Sequence, residues 1–268
     1  SHPILKLWTD KKGGEKIVLH EARDEREEAS FILSVIASEA KQSSYSDFAI
    51  LYRTNAQSRV IEEVLLHQGI PYLLVGGTRF YDRKEIKDVL AFLKLLANEK
   101  DMVSYKRIEK IGKRRLEKFL GFSAEFGEKV KKLPTIEIID KTLKAVDYWE
   151  LYNPEIEEDL YRLENIKELR SVAMEFPDLI NFLENVALVE QEHLPDLPIS
   201  SGNKKEAITL MTMHAAKGLE FPVVFIVGME EGLFPHSRSL LDNSELEEER
   251  RLCYVAITRA KKQVYLTY

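Results

Sequence analysis

The fold is decided by one stretch of the sequence, Phe48-Ala49-Ile50-Leu51-Tyr52-Arg53-Thr54-Asn55-Ala56-Gln57-Ser58-Arg59. Its first five residues form an apolar run of strand length, which is typical of a strand covered on both faces of a parallel sheet. A helical pattern follows over 57–68, with apolar residues at inward positions, and Gly69 is placed to end that helix. A buried strand that passes directly into a helix predicts an α/β fold.

The same alternation continues on both sides of this stretch. On the N-terminal side and just after it, the patterns predict strands at 16–20 and 71–75 and helices at 23–40 and 83–97. Near the C-terminus they predict strands at 208–213, 222–227 and 263–267, with a helix at 245–261. This alternation predicts a parallel sheet with flanking helices.

A different pattern separates these two parts. From 101 to about 191, Leu, Ile and Phe recur at helical spacing among Lys and Glu, and a loop-like exit follows at Pro195, Pro198 and 200–202. We therefore expect one α/β domain made of residues 1–100 and 205–268, interrupted by an all-helical insert at 101–204.

Composition sets outer limits on function. The 268 residues, 44% of them hydrophobic, are enough for a sizeable core in one or two domains. No apolar run is long enough to cross a membrane. A single cysteine, Cys253, excludes an internal disulfide and a Cys-rich zinc site, and it fits a reducing compartment such as the cytoplasm. The net charge of −6 argues mildly against nucleic acid, although an acidic protein can carry a basic groove.

The start of the chain and the lack of nucleotide- and metal-binding motifs add further expectations. The start, Ser1-His2-Pro3, lacks an initiator Met and a signal peptide, which suggests a processed or truncated chain. The sequence contains no G-x-x-x-x-G-K-[ST] phosphate loop and no strand that ends in paired acidic residues for magnesium. No metal-binding cluster stands out among its six histidines. The chain by itself therefore has no evident means of holding Mg-ATP.

Polar residues nevertheless follow the predicted strands, at the edge where α/β sheets bind ligands. Tyr52 and Arg53 leave the first buried strand together, and an aromatic ring beside a guanidinium suits a base and a phosphate. The alternative is a half-buried Tyr52 at a strand end beside a solvated Arg53. Spacing alone does not decide between these two interpretations.

A second candidate segment, 212–221, lies between two apolar strands. Gly218 allows a backbone to approach a ligand closely. Thr212, His214 and Lys217 supply hydrogen-bond donors, and Glu220 is suited to accept a hydrogen bond from a ribose hydroxyl. The alternative is an ordinary connection between strands, with solvated polar side chains.

The third candidate segment, 247–262, lies almost entirely in the predicted helix at 245–261, which has an apolar face. Arg259 lies near its end, where a projecting guanidinium would act as an arginine finger on a neighbouring γ-phosphate. The alternative is a surface helix with ion pairs, such as Glu247 with Arg250 or Arg251. That alternative gives Arg259 no special role.

Taken in order, these segments resemble the C-terminal motifs of the UvrD/PcrA/Rep group of superfamily 1 helicases. The matching stretches cover most of 1–100 and 205–268: they are 5–10, 52–59, 76–88, 211–221, 228–235 and 247–261. The resemblance implies a RecA-like second motor domain from an ATP-dependent 3′-to-5′ DNA helicase. In this family the Walker loop, the magnesium-binding acidic pair and the catalytic glutamate belong to the first RecA-like domain, which this chain lacks. We therefore expect no ATP hydrolysis by the isolated chain.

The resemblance also implies roles for particular residues. Arg53 and Arg259 would contact the γ-phosphate of ATP and serve in catalysis. Tyr52 would stack on adenine, Glu220 would bind the ribose, and Gly218 would lie in the same nucleotide site. Thr212 and His214 would lie near the track of single-stranded DNA. The expected partners are single-stranded DNA and the first motor domain, with Mg²⁺ held by that domain.

The helical insert departs from the family pattern. It looks short, and Ile111-Gly112-Lys113 stands where relatives carry a Gly-Ile-Gly type turn. A basic run in this region suits either duplex DNA or a solvated helix face: Lys110, Lys113, Arg114, Arg115 and Lys118. The chain also ends at Tyr268, before the strand-separating element that relatives place downstream. Two other functions stay open, a non-hydrolysing module that binds DNA or a partner and a helicase–nuclease relative.

Overall fold

The computed structural model describes residues 13–39, 43–191 and 206–268. The matching stretch at 5–10 and the predicted exit loop at 195–202 lie outside these residues. The strands are β1 (Val18–His20), β2 (Phe48–Tyr52), β3 (Tyr72–Val75), β4 (Ile208–Thr212), β5 (Phe221–Ile226) and β6 (Ala260–Thr267). The helices are α1 (Glu25–Glu39), α2 (Ser58–His67), α3 (Lys84–Ala97), α4 (Met102–Ile111), α5 (Lys113–Val130), α6 (Thr135–Ala145), α7 (Glu157–Glu175), α8 (Leu179–Gln191) and α9 (Asn243–Ile257).

The chain packs as two compact units. The first consists of Ser1–Arg53 and Lys205–Tyr268, and the second is Thr54–Lys204. This division falls earlier in the chain than the predicted boundary at residue 100. The assignment of 1–100 and 205–268 to one functional domain, with 101–204 as its insert, stays a prediction.

A parallel sheet forms the centre of the first unit. Five of its strands run in the order β1, β6, β5, β2, β4, and each neighbouring pair is parallel. The central strand β2 is buried along its whole length, because its apolar side chains are covered on both faces. The predicted α/β class and parallel sheet are confirmed.

Register brings the carboxyl ends of the central strands to one edge. Tyr52 of β2 lies level with Thr212 of β4, and Leu51 lies level with Ile226 of β5. Helix α1 is tied to this edge by Glu28, which accepts hydrogen bonds from the Gly228 amide (2.9 Å) and the Thr267 hydroxyl (2.5 Å). Burial raises the pKa of Glu28, against the lowering effect of these two bonds.

Helices and their apolar side chains make the core of the second unit. The ring of Phe92 on α3 lies 5.3 Å from that of Phe119 and 6.0 Å from that of Tyr148. Helix α3 also buries Ile86, Val89 and most of its other apolar residues in the same cluster. Because α3 contributes this much to the helical core, it packs with the second unit, although its sequence continues the α/β alternation.

The predicted elements are present, with shifted ends. Helix α2 ends at His67, one residue before the predicted end, and Gly69 takes the left-handed backbone conformation (φ 63°) that suits glycine after a helix. Helix α9 ends at Ile257, earlier than the predicted 261. The reason is that β5 captures the chain beyond it, since the Phe221 amide donates to the Arg259 carbonyl at 2.9 Å. Among the described residues, no helix is both long and apolar enough to cross a membrane.

Candidate functional site

Three loops of the first unit emerge side by side at the carboxyl edge of the sheet. The Met213 amide donates to the Tyr52 carbonyl (2.9 Å), and the Val227 amide donates to the Leu51 carbonyl (3.0 Å). The chain leaving β2 therefore lies between the loops that follow β4 and β5. This is the edge at which open α/β sheets bind ligands.

Arg53 is the first functional side chain at this edge, and it is buried. Its guanidinium meets the carboxylate of Glu249 side-on, with Nε 3.0 and 3.1 Å from the two carboxylate oxygens and Nη2 2.9 Å from Oε1. The side chains are only 10% and 7% exposed. The alternative of a solvated Arg53 is therefore wrong.

Glu249 reaches Arg53 because it lies on the buried face of α9. That face also carries Leu252 and Ala256, which follow Glu249 at helical spacing. The neighbours Glu247 and Glu248 point outward and pair with Arg250 and Arg251 at 2.8 Å. The predicted pair of Glu247 with Arg250 is confirmed. Sequence reasoning missed Glu249, although its position three residues before Leu252 was a usable signal.

Tyr52 is also buried, with 1% of its surface exposed. The alternative of a half-buried tyrosine is therefore wrong as well. A ring in this position does not present a face to solvent. Stacking on adenine stays a prediction, and it requires the ring to become accessible when nucleotide binds.

The loop from Thr212 to Phe221 presents most of its polar side chains to solvent. The Thr212 hydroxyl accepts a hydrogen bond from the Ala215 amide at 3.3 Å, and the exposed His214 follows it. Gly218 has φ of 87°, and the space where a side chain would begin is open. Glu220 is exposed and lies 3.8 Å from the ammonium group of Lys261. These features suit a loop that meets a ligand, and they also fit an ordinary connection.

Arg259 does not project from the domain; it folds back on the end of α9. Its Nε donates to the Val255 carbonyl (2.9 Å), Nη1 to the Leu219 carbonyl (3.0 Å) and Nη2 to the Thr258 hydroxyl (3.0 Å). The last carbonyls of a helix lack intrahelical partners, so an arginine at this position is well placed to cap them. A γ-phosphate contact by Arg259 requires these bonds to be exchanged.

Helix α9 thus links the two candidate arginines. It holds Arg53 through Glu249, and it is followed by Arg259, which also contacts the loop after β4. Within the described residues, no group of three or more His, Cys, Asp or Glu side chains is arranged to hold a metal ion.

The residues of the basic run in the second unit differ in their exposure to solvent. Lys110, Lys113 and Arg114 are exposed. Lys118 pairs with Asp147, and the hydrogen bond from this ammonium group lowers the pKa of the Asp147 carboxyl. Arg115 is half-buried, and its Nε has no hydrogen-bond partner. Three cations therefore face solvent near the start of α5, and both predicted interpretations stay open.

The parallel sheet and the loops that meet at its carboxyl edge define a RecA-like α/β domain. The sequence model of one family, the UvrD-like helicase C-terminal domain, matches residues 2–134 and 122–268. The chain belongs to this family.

Curated relatives give the same result. The ATP-dependent DNA helicase PcrA of Bacillus subtilis strain 168 is 42% identical over 309 aligned positions, which cover 97% of this chain. The proteins of the same name from Staphylococcus epidermidis strain RP62A and Staphylococcus aureus strain Mu50 are each 41% identical, over 97% and 98% of this chain. The chain spans 42% of the length of each of these relatives.

Proposed function

We propose that this chain is the second motor domain of an ATP-dependent 3′-to-5′ DNA helicase or translocase. The observation that carries the proposal is that α9 connects three family motifs: Glu249 on this helix pairs with Arg53, and Arg259, just after the helix, donates to the Leu219 carbonyl in the loop at 212–221. The relatives are ATP-dependent DNA helicases, which supports the assignment to the same kind of protein.

The two arginines have a physical reason to lie on this domain. Phosphoryl transfer requires neutralisation of the charge that develops on the γ-phosphate, and an arginine finger contributes roughly 10³–10⁵ in rate in related systems. If ATP binds between two motor domains, Arg53 and Arg259 reach it only when the domains close. Hydrolysis would then weaken the closure of the two domains. Repeated closing and opening, with DNA held across both domains, would move the protein stepwise along one DNA strand.

The other site residues complete the nucleotide and DNA contacts. We assign Glu220 to the ribose, Gly218 to the loop that approaches the nucleotide, and Tyr52 to adenine. The exposed His214 and the neighbouring Thr212 are assigned to single-stranded DNA. The exposure of His214 and Glu220 and the positive φ of Gly218 support these roles. The polarity rests on the family resemblance.

Magnesium and the remaining catalytic groups are assigned to the first motor domain, which we propose as a partner within the same longer protein. We assign no ligand of Mg²⁺ to the described residues, among which no group of three or more His, Cys, Asp or Glu side chains is arranged to hold a metal ion. When bound, Mg²⁺ would neutralise negative charge on the phosphates of ATP. On this proposal the isolated chain does not hydrolyse ATP. A bacterial DNA motor of this kind would work in the cytoplasm, where the chromosome lies.

The helical insert at 101–204 is assigned to duplex DNA through the exposed cations Lys110, Lys113 and Arg114. The alignments with the relatives span 309 to 313 positions, more than the 268 residues of this chain. The relatives therefore carry residues within the aligned region that have no counterpart here.

Arg259→Ala in the full-length protein tests the proposal. DNA-stimulated ATP turnover should fall by roughly 10³-fold or more, as expected for an arginine finger. Nucleotide binding should be largely retained. Arg250→Ala is the matched control, because Arg250 lies on the same helix, is exposed, and pairs only with Glu247 among the described residues. Equal turnover by the two variants would refute the role of Arg259. Absence of turnover in the unaltered full-length protein would favour the non-hydrolysing module instead.

A further inference from the structure

We infer that Glu249 is a positioning residue for ATP hydrolysis, which acts by fixing the guanidinium of Arg53. The inference rests on the proposed function, in which Arg53 contacts the γ-phosphate. Glu249 itself is given no contact with nucleotide. Its role would be to hold the charged group of Arg53 in one orientation at the carboxyl edge of the sheet.

The geometry of the pair determines that orientation. A guanidinium is planar, with its N–H donors in fixed directions, so two bonds along one edge define the plane of the whole group. Glu249 occupies the edge formed by Nε and Nη2 of Arg53, with three contacts between 2.9 and 3.1 Å. The plane and the position of the guanidinium are thereby fixed relative to α9. An arginine without such a partner would sample many rotamers.

Glu249 is itself held in place from a second side. Its Oε2 accepts a hydrogen bond from the backbone amide of His236 at 3.2 Å. The loop that carries His236 is anchored at its start, because the Met229 amide donates to the Thr267 carbonyl at 2.9 Å and the Gly228 amide donates to Glu28. A carboxylate fixed by a helix and by a backbone amide is a rigid support for Arg53.

Burial distinguishes this pair from the others on α9. The side chains of Arg53 and Glu249 are 10% and 7% exposed, whereas those of Arg251 and Glu248 are 62% and 69% exposed. Water screens the exposed pair of Arg251 and Glu248, so Glu248 has only a small effect on the position of Arg251. The pair of Arg53 and Glu249 is shielded from water, and the electrostatic attraction between the two groups is correspondingly stronger.

The experiment compares Glu249→Gln with Glu248→Gln in the full-length protein. Glutamine keeps the size of the side chain but removes the charge that orients Arg53. We expect Glu249→Gln to lower kcat for ATP by about 10²-fold, the loss typical of a misplacement near 1 Å. Affinity for a non-hydrolysable ATP analogue should also fall, while affinity for ADP, which has no γ-phosphate, should be unchanged. Glu248→Gln should match the unaltered protein in all three measurements.

Two results would overturn the inference. One is a kcat for Glu249→Gln equal to that of Glu248→Gln. The other is an equal loss of affinity for the ATP analogue and for ADP, because a general disturbance of the domain would affect both nucleotides alike.

A double variant separates positioning from stability. Glu249→Gln leaves a buried cation, and this variant could fail to fold. The variant with both Arg53→Gln and Glu249→Gln removes both charges, so that neither charge is left buried without a partner. If Glu249 acts through Arg53, the double variant should turn over ATP at the rate of Arg53→Gln alone. A further tenfold loss in the double variant would overturn the inference.

The same set of variants distinguishes a failure of the proposed function from a failure of the role of Glu249. If Arg53→Gln turns over ATP like the unaltered protein, the γ-phosphate role of Arg53 is wrong, and the role of Glu249 falls with it. If Arg53→Gln is impaired while Glu249→Gln behaves like Glu248→Gln, the proposed function stands and only the role of Glu249 is wrong.

Discussion

Replacement of Arg59 by alanine should destabilise the second unit of the chain. Arg59 belongs to the stretch that decides the fold, yet its side chain is only 2% exposed. It forms ion pairs with Glu63 on its own helix (2.9 Å) and with Glu168 on α7 (2.5 Å). Burial by itself lowers the pKa of Arg59, but the two carboxylates more than offset this and raise it. The guanidinium is therefore held as a charged bridge between two helices.

The expected loss follows from the surroundings of the pair. Removal of one partner from a buried ion pair costs about 3–5 kcal/mol, because the other charge remains buried without compensation. The carboxylates of Glu63 and Glu168 are 19% and 23% exposed, so water can partly solvate them. We therefore expect a loss near the lower limit, about 3 kcal/mol in the free energy of unfolding.

Urea denaturation followed by tryptophan fluorescence measures this loss. Trp149 packs against the helical core of the second unit, and a Trp8→Phe background makes it the only tryptophan, since the sequence has two. With a urea dependence of about 1–3 kcal/mol/M, the midpoint should fall by about 1–3 M. The control is Lys87→Ala, because Lys87 pairs with Asp82 and the two side chains are 40% and 42% exposed. That variant should lose less than about 1 kcal/mol.

The result that would refute the reasoning is equal stability of the two variants. It would mean that the charges around Arg59 contribute no more than a solvated surface pair. A loss for Arg59→Ala that disappears when Glu168 is also changed to Gln would instead locate the cost in the unpaired carboxylate.

Three further outcomes are expected. Burial raises the pKa of the Glu62 carboxyl above its usual 4.5, so the protonated carboxyl stabilises the folded chain. This stabilisation is complete at a pH below 4.5, and it is lost as the pH rises through the raised pKa. Glu62→Gln should flatten that part of the unfolding free energy against pH, and an unchanged slope would contradict the assignment. Burial also raises the pKa of the Cys253 thiol, so iodoacetamide at pH 8 should alkylate the folded chain more slowly than the urea-unfolded chain; equal rates would contradict this. Gly69→Ala should cost about 1 kcal/mol in a thermal or urea melt, because φ of 63° disfavours a side chain, and a neutral result would show that the turn relaxes.

Local patterns in the sequence determined the class of fold. The apolar run at 48–52 and the helical spacing after it depend on neighbours a few residues away, so their structures were predicted with small errors at the ends. The later end predicted for α9 was wrong because β5 captures the backbone at Arg259, a contact that helical spacing does not contain. The order of the motifs was also sufficient to identify the family, since it is a property of the chain itself.

Tertiary structure alone decided the surroundings of the site residues. Arg53 and Glu249 are 196 positions apart, and their pairing depends on how α9 packs against β5 and β6. The burial of Tyr52 and the bond from Arg259 to the Leu219 carbonyl likewise arise from long-range contacts, as does the packing of α3 into the helical core. The sequence determines which side chains are present and which elements carry them. Only the packed structure determines whether a charge meets water, a carboxylate or a carbonyl, because that depends on residues far away in the chain.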